Sequence, residues 1–228
     1  MEAGLINLED IERRAAVHAA LGEPARLAIV EALRLSDQSP SELAHWLSMD
    51  SNLLAHHLDV LESVGLIERV VSSGDRRRRY VKLTDHSLKD LFPAAPLFAE
   101  TILFVCTQNS ARSQLAAALW NRKSGVRAES AGTHPAAQVH PMAIEVAANH
   151  GIDLSDAAPR SLPESLTSST LVVTVCDRAN EEMTPRGQLR LHWSIPDPTE
   201  AGTPEAFLQA WWVLDQRTDV LSERVRGE

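Results

Sequence analysis

The feature that most constrains this chain is a strand running straight into a loop and a helix. Residues 101–105 read TILFV, a short apolar run rich in β-branched side chains. It leads into CTQNSARS and then into SQLAAALWNRK, which has apolar residues at helical spacing. An apolar run of that length between polar residues predicts a buried strand. Strand, tight loop and helix in succession bring the loop N–H groups and the helix N-terminus to one point, and such a point binds an anion. The spacing Cys106-x5-Arg112 puts a sulfur at the loop start and a guanidinium at its end. A guanidinium clamps a tetrahedral oxyanion through paired hydrogen bonds. The loop dipoles, the helix N-terminus and the Ser113 hydroxyl all favour the thiolate of Cys106. Thr107, Gln108, Asn109, Ser110, Ala111 and Arg112 are the expected oxyanion-binding set. Asn109, in mid-loop, tolerates left-handed backbone and can fix the loop through its side chain.

The rest of the C-terminal half continues the alternation of strands and helices. VRAESAGT (126–133), LVVTV (171–175) and LRLHWSI (189–195) read as further short strands. VHPMAIEVAANHGID (139–153) reads as a helix ending at Gly151, and TPEAFLQAWWVLDQRTDVLSERV as a closing amphipathic helix. The expected fold class is α/β: a four-stranded parallel sheet with helices on both faces. Ligands of such sheets bind beyond the carboxyl ends of the strands. Cys106, Cys176 and Asp197 each lie just past a strand end, so one site can hold all three. Cys176 reads either as a small core residue or as a second redox thiol. His134, His140, His150 and His192 read as structural, and Trp193, Trp211 and Trp212 as core.

The N-terminal half has a different rhythm. Residues 9–21 and 24–35 carry helical stripes, Ile11, Ala15, Val17 and Leu21 in one and Leu27, Ile29, Val30 and Leu33 in the other, with Gly22 and Pro24 between them. SPSELAHWL opens with Ser39 or Ser41 as N-cap. SNLLAHHLDVLESVGLIERV is a helix from Ser51 to a C-cap glycine, Gly65. LIERVVSS and YVKLT around GDRRRR make a hairpin. Helix, turn, helix and basic hairpin is the layout of a winged helix-turn-helix, a mainly α module whose second helix enters the major groove. The recognition helix offers Ser51, Asn52, His56 and His57, and the wing offers Arg76, Arg77, Arg78 and Arg79.

Charge does not decide the matter, since the 228 residues carry net −9 and neither half is basic overall: 11 basic and 15 acidic residues in 1–98, 11 and 16 in 99–228. Only clustering supports DNA binding. No apolar run spans a bilayer, the N-terminus lacks a secretion signal, and two distant cysteines make no disulfide framework, so the cytoplasm is the expected compartment. DLFPAAPLFAE (90–100) reads as a linker, dividing a DNA-binding domain, 1–96, from an α/β domain, 99–228.

Residues 15–84 resemble the ArsR family of bacterial repressors, through LGEPARLAIVEAL, LAHHLDVLESVGLIERV and GDRRRRYVKL. The resemblance implies a homodimer formed through the N-terminal domain that binds double-stranded operator DNA and releases it on binding a metal or metalloid. The chain departs from the family in having no cysteine in SELAHWLSMD or anywhere in this half, and soft thiolates are what select such ions. His18, His45, His56, His57 and His86 show no ligand spacing, so no metal site is expected and the inducer is not visible.

Residues 101–225 resemble the low-molecular-weight tyrosine phosphatase superfamily, and within it thiol-dependent arsenate reductases, through VCTQNSARSQLAAALW, ESAGTHPA, VHPMAIEVAANHGIDLS, VVTVCDRANEE and HWSIPDP. The resemblance implies Cys106 as nucleophile, Arg112 and the loop as oxyanion binders, Ser113 as thiolate activator, Asp197 as general acid and Cys176 as second redox cysteine. Arsenate, or phosphate, is the implied oxyanion. Thr199 after Asp197-Pro198, where phosphatases carry an aromatic residue, favours reduction, as does Cys176. Thioredoxin-coupled relatives carry a third cysteine where this chain has Arg178, Glu181, Glu182 and Met183. No bound cofactor is expected, and an external thiol completes the cycle: mycothiol with its redoxin, glutathione with glutaredoxin, or thioredoxin. VVTVCDRANEE looks like the mycothiol-using type. A low-molecular-weight protein tyrosine phosphatase and a non-catalytic oxyanion-sensing repressor are the alternatives.

Overall fold

The structure is a computed structural model describing residues 8–84, 96–184 and 187–227. It forms two compact units. The first holds α1 (Leu8–Leu21), α2 (Pro24–Leu33), α3 (Pro40–Trp46), α4 (Ser51–Ser63), β1 (Ile67–Val71) up to Val70, and β2 (Arg79–Leu83), while residues 71–78 between the two strands group with the second unit. Local chemistry sets the boundaries. Glu23 caps α2 by accepting from the Arg26 N–H at 2.9 Å. Ser39, not Ser41, caps α3 in a reciprocal pair with Glu42. Asp50 stands at the N-cap of α4. Gly65, at φ +73°, ends that helix. The Leu66 N–H reaches Leu61 O and the Gly65 N–H reaches Glu62 O, each at 3.0 Å, which is the Schellman pattern. Ile29, Val30, Leu33, Leu43, Leu54, Leu58, Leu61, Ile67 and Val81 fill the core. The expected stripe on α1 is not buried: Ile11 and Ala15 are exposed, and among the described side chains of α1 only Ala20 is buried.

The second unit holds β3 (Leu97–Phe98), β4 (Thr101–Cys106), α5 (Arg112–Lys123), β5 (Arg127–Gly132), α6 (Pro141–Asn149), β6 (Thr170–Thr174), α7 (Asp177–Glu182), β7 (Arg190–His192), α8 (Pro198–Ala201), α9 (Pro204–Ser222) and β8 (Val225–Arg226). Four strands form one parallel sheet in the order β5-β4-β6-β7. Ile102 to Cys106 on central β4 are all buried, as a strand covered on both faces requires. Phe104 stands between Trp120 and Trp193 at ring separations of 6.4 and 5.7 Å. The Trp120 indole donates to Val126 O at 2.6 Å, pinning the end of α5 to the start of β5.

Two expectations change here. Trp212 is 50% exposed, because α9 turns it away from the face that carries Phe207, Trp211 and Leu214. Leu97–Phe98, read as linker, pairs in parallel with Val225–Arg226 and belongs to the second unit. The remaining linker residues up to Ala95, and His86, lie outside the described residues. Among the described residues no helix is long and apolar enough to cross a membrane.

Candidate active site

The loop between β4 and α5 is shaped from outside. The N–H groups of Thr133 and His134 donate to the carbonyls of Cys106 and Thr107 at 3.1 and 2.8 Å. Ala136 donates to Gln108 O at 2.9 Å and His140 to Ser110 O at 2.8 Å. In a trans peptide the N–H points opposite to the preceding C=O. With these four carbonyls turned outward, the amides of Thr107, Gln108, Asn109 and Ala111 turn inward, an arrangement suited to binding an anion. The Asn109 amide shows this directly, donating to Cys106 Sγ at 3.1 Å.

Asn109 has φ +49°, the left-handed conformation its residue type tolerates. Its side chain carries a directed hydrogen-bond chain. The Arg160 N–H can only donate, and it reaches Asn109 Oδ1 at 2.8 Å, which fixes the orientation of the amide. Asn109 Nδ2 therefore donates to Ser113 Oγ at 2.8 Å. Ser113 Oγ also lies 3.0 Å from Cys106 Sγ, within reach for its hydroxyl to donate to the sulfur. The sulfur thus has the Asn109 amide and the Ser113 hydroxyl beside it. Ser113 is fully buried, so no water competes for that bond. Gln114 Nε2 holds Asn109 O at 3.1 Å from behind.

Arg112 is 5% exposed. Its Nη1 donates to Ile195 O at 2.8 Å and its Nη2 to Asp197 Oδ2. Two of its five donors are used, which leaves the others for an oxyanion. The other oxygen of Asp197 accepts from Thr199 N at 3.0 Å and Thr199 Oγ1 at 2.8 Å. Thr199, two residues after Asp197, therefore fixes the orientation of that carboxylate. Cys176 is the N-cap of α7, its sulfur taking the Ala179 N–H at 3.4 Å and lying 3.4 Å from Thr107 Oγ1. Burial pushes its thiol above the ordinary value, against the opposing pull of Arg112. Cys106 thus contacts Ser113, Arg112 contacts Asp197, and Cys176 contacts Thr107, the residue that follows Cys106. Ser110 Oγ reaches Gln108 Oε1 at 3.4 Å, and Ala111 is the N-cap of α5.

Gly132 carries no role in the sequence reading. A Cβ there would stand 2.7 Å from Thr107 O and 3.0 Å from Asn109 N. Only glycine allows β5 to support the loop this closely. Its place in ESAGTHPA, just past a strand and followed by two loop-holding amides, is the signal available in the sequence.

In the first unit, Ser51, Asn52 and His56 are exposed along the first turns of α4. His57 is not: it is 8% exposed, with Nδ1 3.6 Å from Glu23 Oε2. One helical step of about 100° separates it from His56 and turns it to the core, so it is withdrawn from the base-contacting set. Arg79, and Arg76, Arg77 and Arg78 in the segment 71–78 that groups with the second unit, are exposed. Arg77 is bound to both oxygens of Asp75 at 3.0 Å. Among the described residues no group of His, Cys, Asp and Glu is arranged to hold a metal ion.

The model of the low molecular weight phosphotyrosine protein phosphatase family matches residues 101–228, and a helix-turn-helix domain model matches residues 21–70. An arsenate reductase of Bacillus licheniformis is 34% identical over 134 residues, 56% of this chain and 93% of that one. An arsenate reductase of Halalkalibacterium halodurans is 34% identical over 133 residues, with the same shares covered. The crystal structure of a YwlE mutant from Bacillus subtilis superposes with a TM-score of 0.50 at 23% identity, covering 55% of this chain and 97% of that one, and shows a shared fold.

Proposed function

Because the chain belongs to the low molecular weight phosphotyrosine protein phosphatase family and is similar to arsenate reductases, we propose that its C-terminal domain, 99–228, reduces arsenate to arsenite with Cys106 as nucleophile. The observation that carries this is a sulfur held by Ser113 and Asn109 in an oxyanion loop, with a second buried sulfur one contact away at Cys176. The Cys106 thiolate attacks As(V), and Asp197, oriented by Thr199, protonates the departing oxygen, which leaves as water. The loop amides and Arg112 hold the remaining oxygens. A thiol then attacks Cys106 Sγ. The S–As bond breaks, its electron pair stays on arsenic, arsenite leaves, and the two sulfurs remain as a disulfide. Two electrons pass from two thiols to arsenic.

Cys176 supplies that second thiol, and an external one, mycothiol, glutathione with glutaredoxin or thioredoxin, restores both cysteines. The 1–96 domain binds operator DNA through Ser51, Asn52, His56 and the wing arginines as an ArsR-type homodimer, a reading supported by the helix-turn-helix match and by the exposed Ile11 and Ala15 on α1. The chain acts in the cytoplasm, where thiols stay reduced. Purified chain given arsenate and each thiol system in turn tests the reading. Arsenite release with at least one, lost in Cys106→Ser, supports it. Cleavage of an aryl phosphate without arsenite release would make the domain a phosphatase instead.

A further inference from the structure

Three buried polar side chains beside Cys176 are not used by this chemistry. His192, the last residue of β7, is 4% exposed. Its Nε2 lies 3.2 Å from Asp177 Oδ1, and its Nδ1 lies 3.0 Å from Thr174 Oγ1. Thr174 is the last residue of β6 and Asp177 the first of α7. One imidazole therefore bridges both ends of the bend Val175-Cys176. Cys176 itself is extended, at φ −157° and ψ 148°, and caps a helix of only 6 residues. A helix that short has little stability of its own, so its place depends on contacts of this kind, among them that of Thr174 Oγ1 to Asn180 Oδ1 at 3.1 Å.

We propose that His192 is a positioning residue: by holding Thr174 and Asp177 it keeps the Cys176 sulfur beside Thr107, in line to close on Cys106. The use made of that disulfide rests on the reductase reading. Two further observations support the assignment. Burial keeps the proton on Cys176, so its attack depends on placement more than on a standing thiolate. Burial would also raise the Asp177 carboxyl, but hydrogen bonds, with His192 foremost, hold it below the ordinary value. Asp177 is therefore a carboxylate, and it takes the Nε2 proton as a charge-assisted bond.

Peroxide oxidation tests this without arsenate. Hydrogen peroxide converts the Cys106 thiolate to the sulfenic acid. The Cys176 thiol then displaces water to give the disulfide, seen as the loss of two hydrogens by intact mass. His192→Asn places an amide near the Nδ1 position but cannot reach Asp177, whereas His192→Gln places one near Nε2. Misplacing an attacking group by about 1 Å slows reaction up to ~100-fold. His192→Asn is expected to slow disulfide closure by about tenfold or more, with His192→Gln restoring much of the rate and alkylation of Cys106 by iodoacetamide unchanged in both. Should His192→Asn fail to fold, Thr174→Val, which at nearly constant shape removes the Nδ1 contact together with the Oγ1 contacts to Asn180 Oδ1 and Leu191 O, is expected to slow closure as well. Closure at the wild-type rate in His192→Asn, or in Thr174→Val if that is the variant that folds, overturns the inference, and so does a wild-type chain in which Cys176 never closes on Cys106. Closure under His192 control in a chain that never releases arsenite overturns the reductase reading and leaves the positioning role standing.

Discussion

Replacing Gly132 by alanine tests the loop support with the least chemical change. The added methyl would lie 2.7 Å from Thr107 O, where ordinary contact begins at 3.4 Å, so strand and loop must separate by about 0.7 Å. Neither side yields easily. Gly132 is held on β4 opposite Cys106 and bonded to Arg160 O and the Leu162 N–H, while Thr107 O is held by His134. Overpacking of this kind destabilises by about 1–3 kcal/mol, a fall of roughly 3–10 °C in Tm for a domain of this size. The same displacement moves the Asn109 and Thr107 amides relative to Cys106 Sγ, and sub-ångström to ångström shifts of reacting groups reduce rates by up to ~100-fold. The assay is arsenite formation in a single turnover beside a thermal melt. Gly132→Ala with wild-type rate and wild-type Tm would refute the argument that close backbone approach shapes the loop.

Four other outcomes are expected. Ser113→Ala removes the hydroxyl 3.0 Å from Cys106 Sγ, a contact worth about 1.5–3 kcal/mol if it is made to the attacking thiolate, so iodoacetamide should alkylate Cys106 more slowly, by about tenfold or more; an unchanged rate would show that the hydroxyl does not activate the thiol. Because burial raises the Cys176 thiol, its alkylation in a Cys106→Ser chain should be slow at neutral pH and rise only above the usual thiol range near pH ~8.5, and reaction like a free thiol at pH 7 would contradict the burial. The Asp177 carboxyl is lowered in the fold, so its stabilisation is complete above the unfolded value near ~3.9 and is lost as pH falls through the folded value; Asp177→Asn should flatten the acid limb of a stability–pH curve, and an identical limb would count against the contact. Asn52→Ala should weaken binding to operator DNA with little change in Tm, while His57→Ala should lower Tm, and the reverse pattern would return His57 to the DNA-facing set.

The oxyanion loop was legible because its chemistry is local. Cys106, Asn109, Arg112 and Ser113 lie within one strand–loop–helix segment, and the conformation each needs follows from residue type and spacing. Cys176 and Asp197 could be placed by the rule that sites lie beyond strand ends, since the strands themselves read clearly. Contacts brought together by topology were not legible. Gly132 and Thr107 meet only because β5 lies beside β4, and His192 meets Asp177 only because β7 lies beside β6. Helical phase at single-residue resolution was the other limit. His56 and His57 are neighbours in sequence but one faces out and the other in, and Trp211 and Trp212 divide the same way. The two-residue strands β3 and β8 are too short to leave a periodic pattern, and Leu97–Phe98 sits in a proline-rich stretch that reads as linker.

In the proposed reaction Cys106 and Cys176 together deliver two electrons to one arsenate. A single turnover of fully reduced chain with arsenate and no external thiol, counting arsenite and disulfide per chain, tests this. One arsenite and one Cys106–Cys176 disulfide are expected for each chain, with neither formed by Cys106→Ser and no disulfide or arsenite from Cys176→Ser until an external thiol is added. Arsenite without the disulfide in the wild-type chain would contradict the role of Cys176, and no arsenite under any thiol condition would contradict the reductase itself.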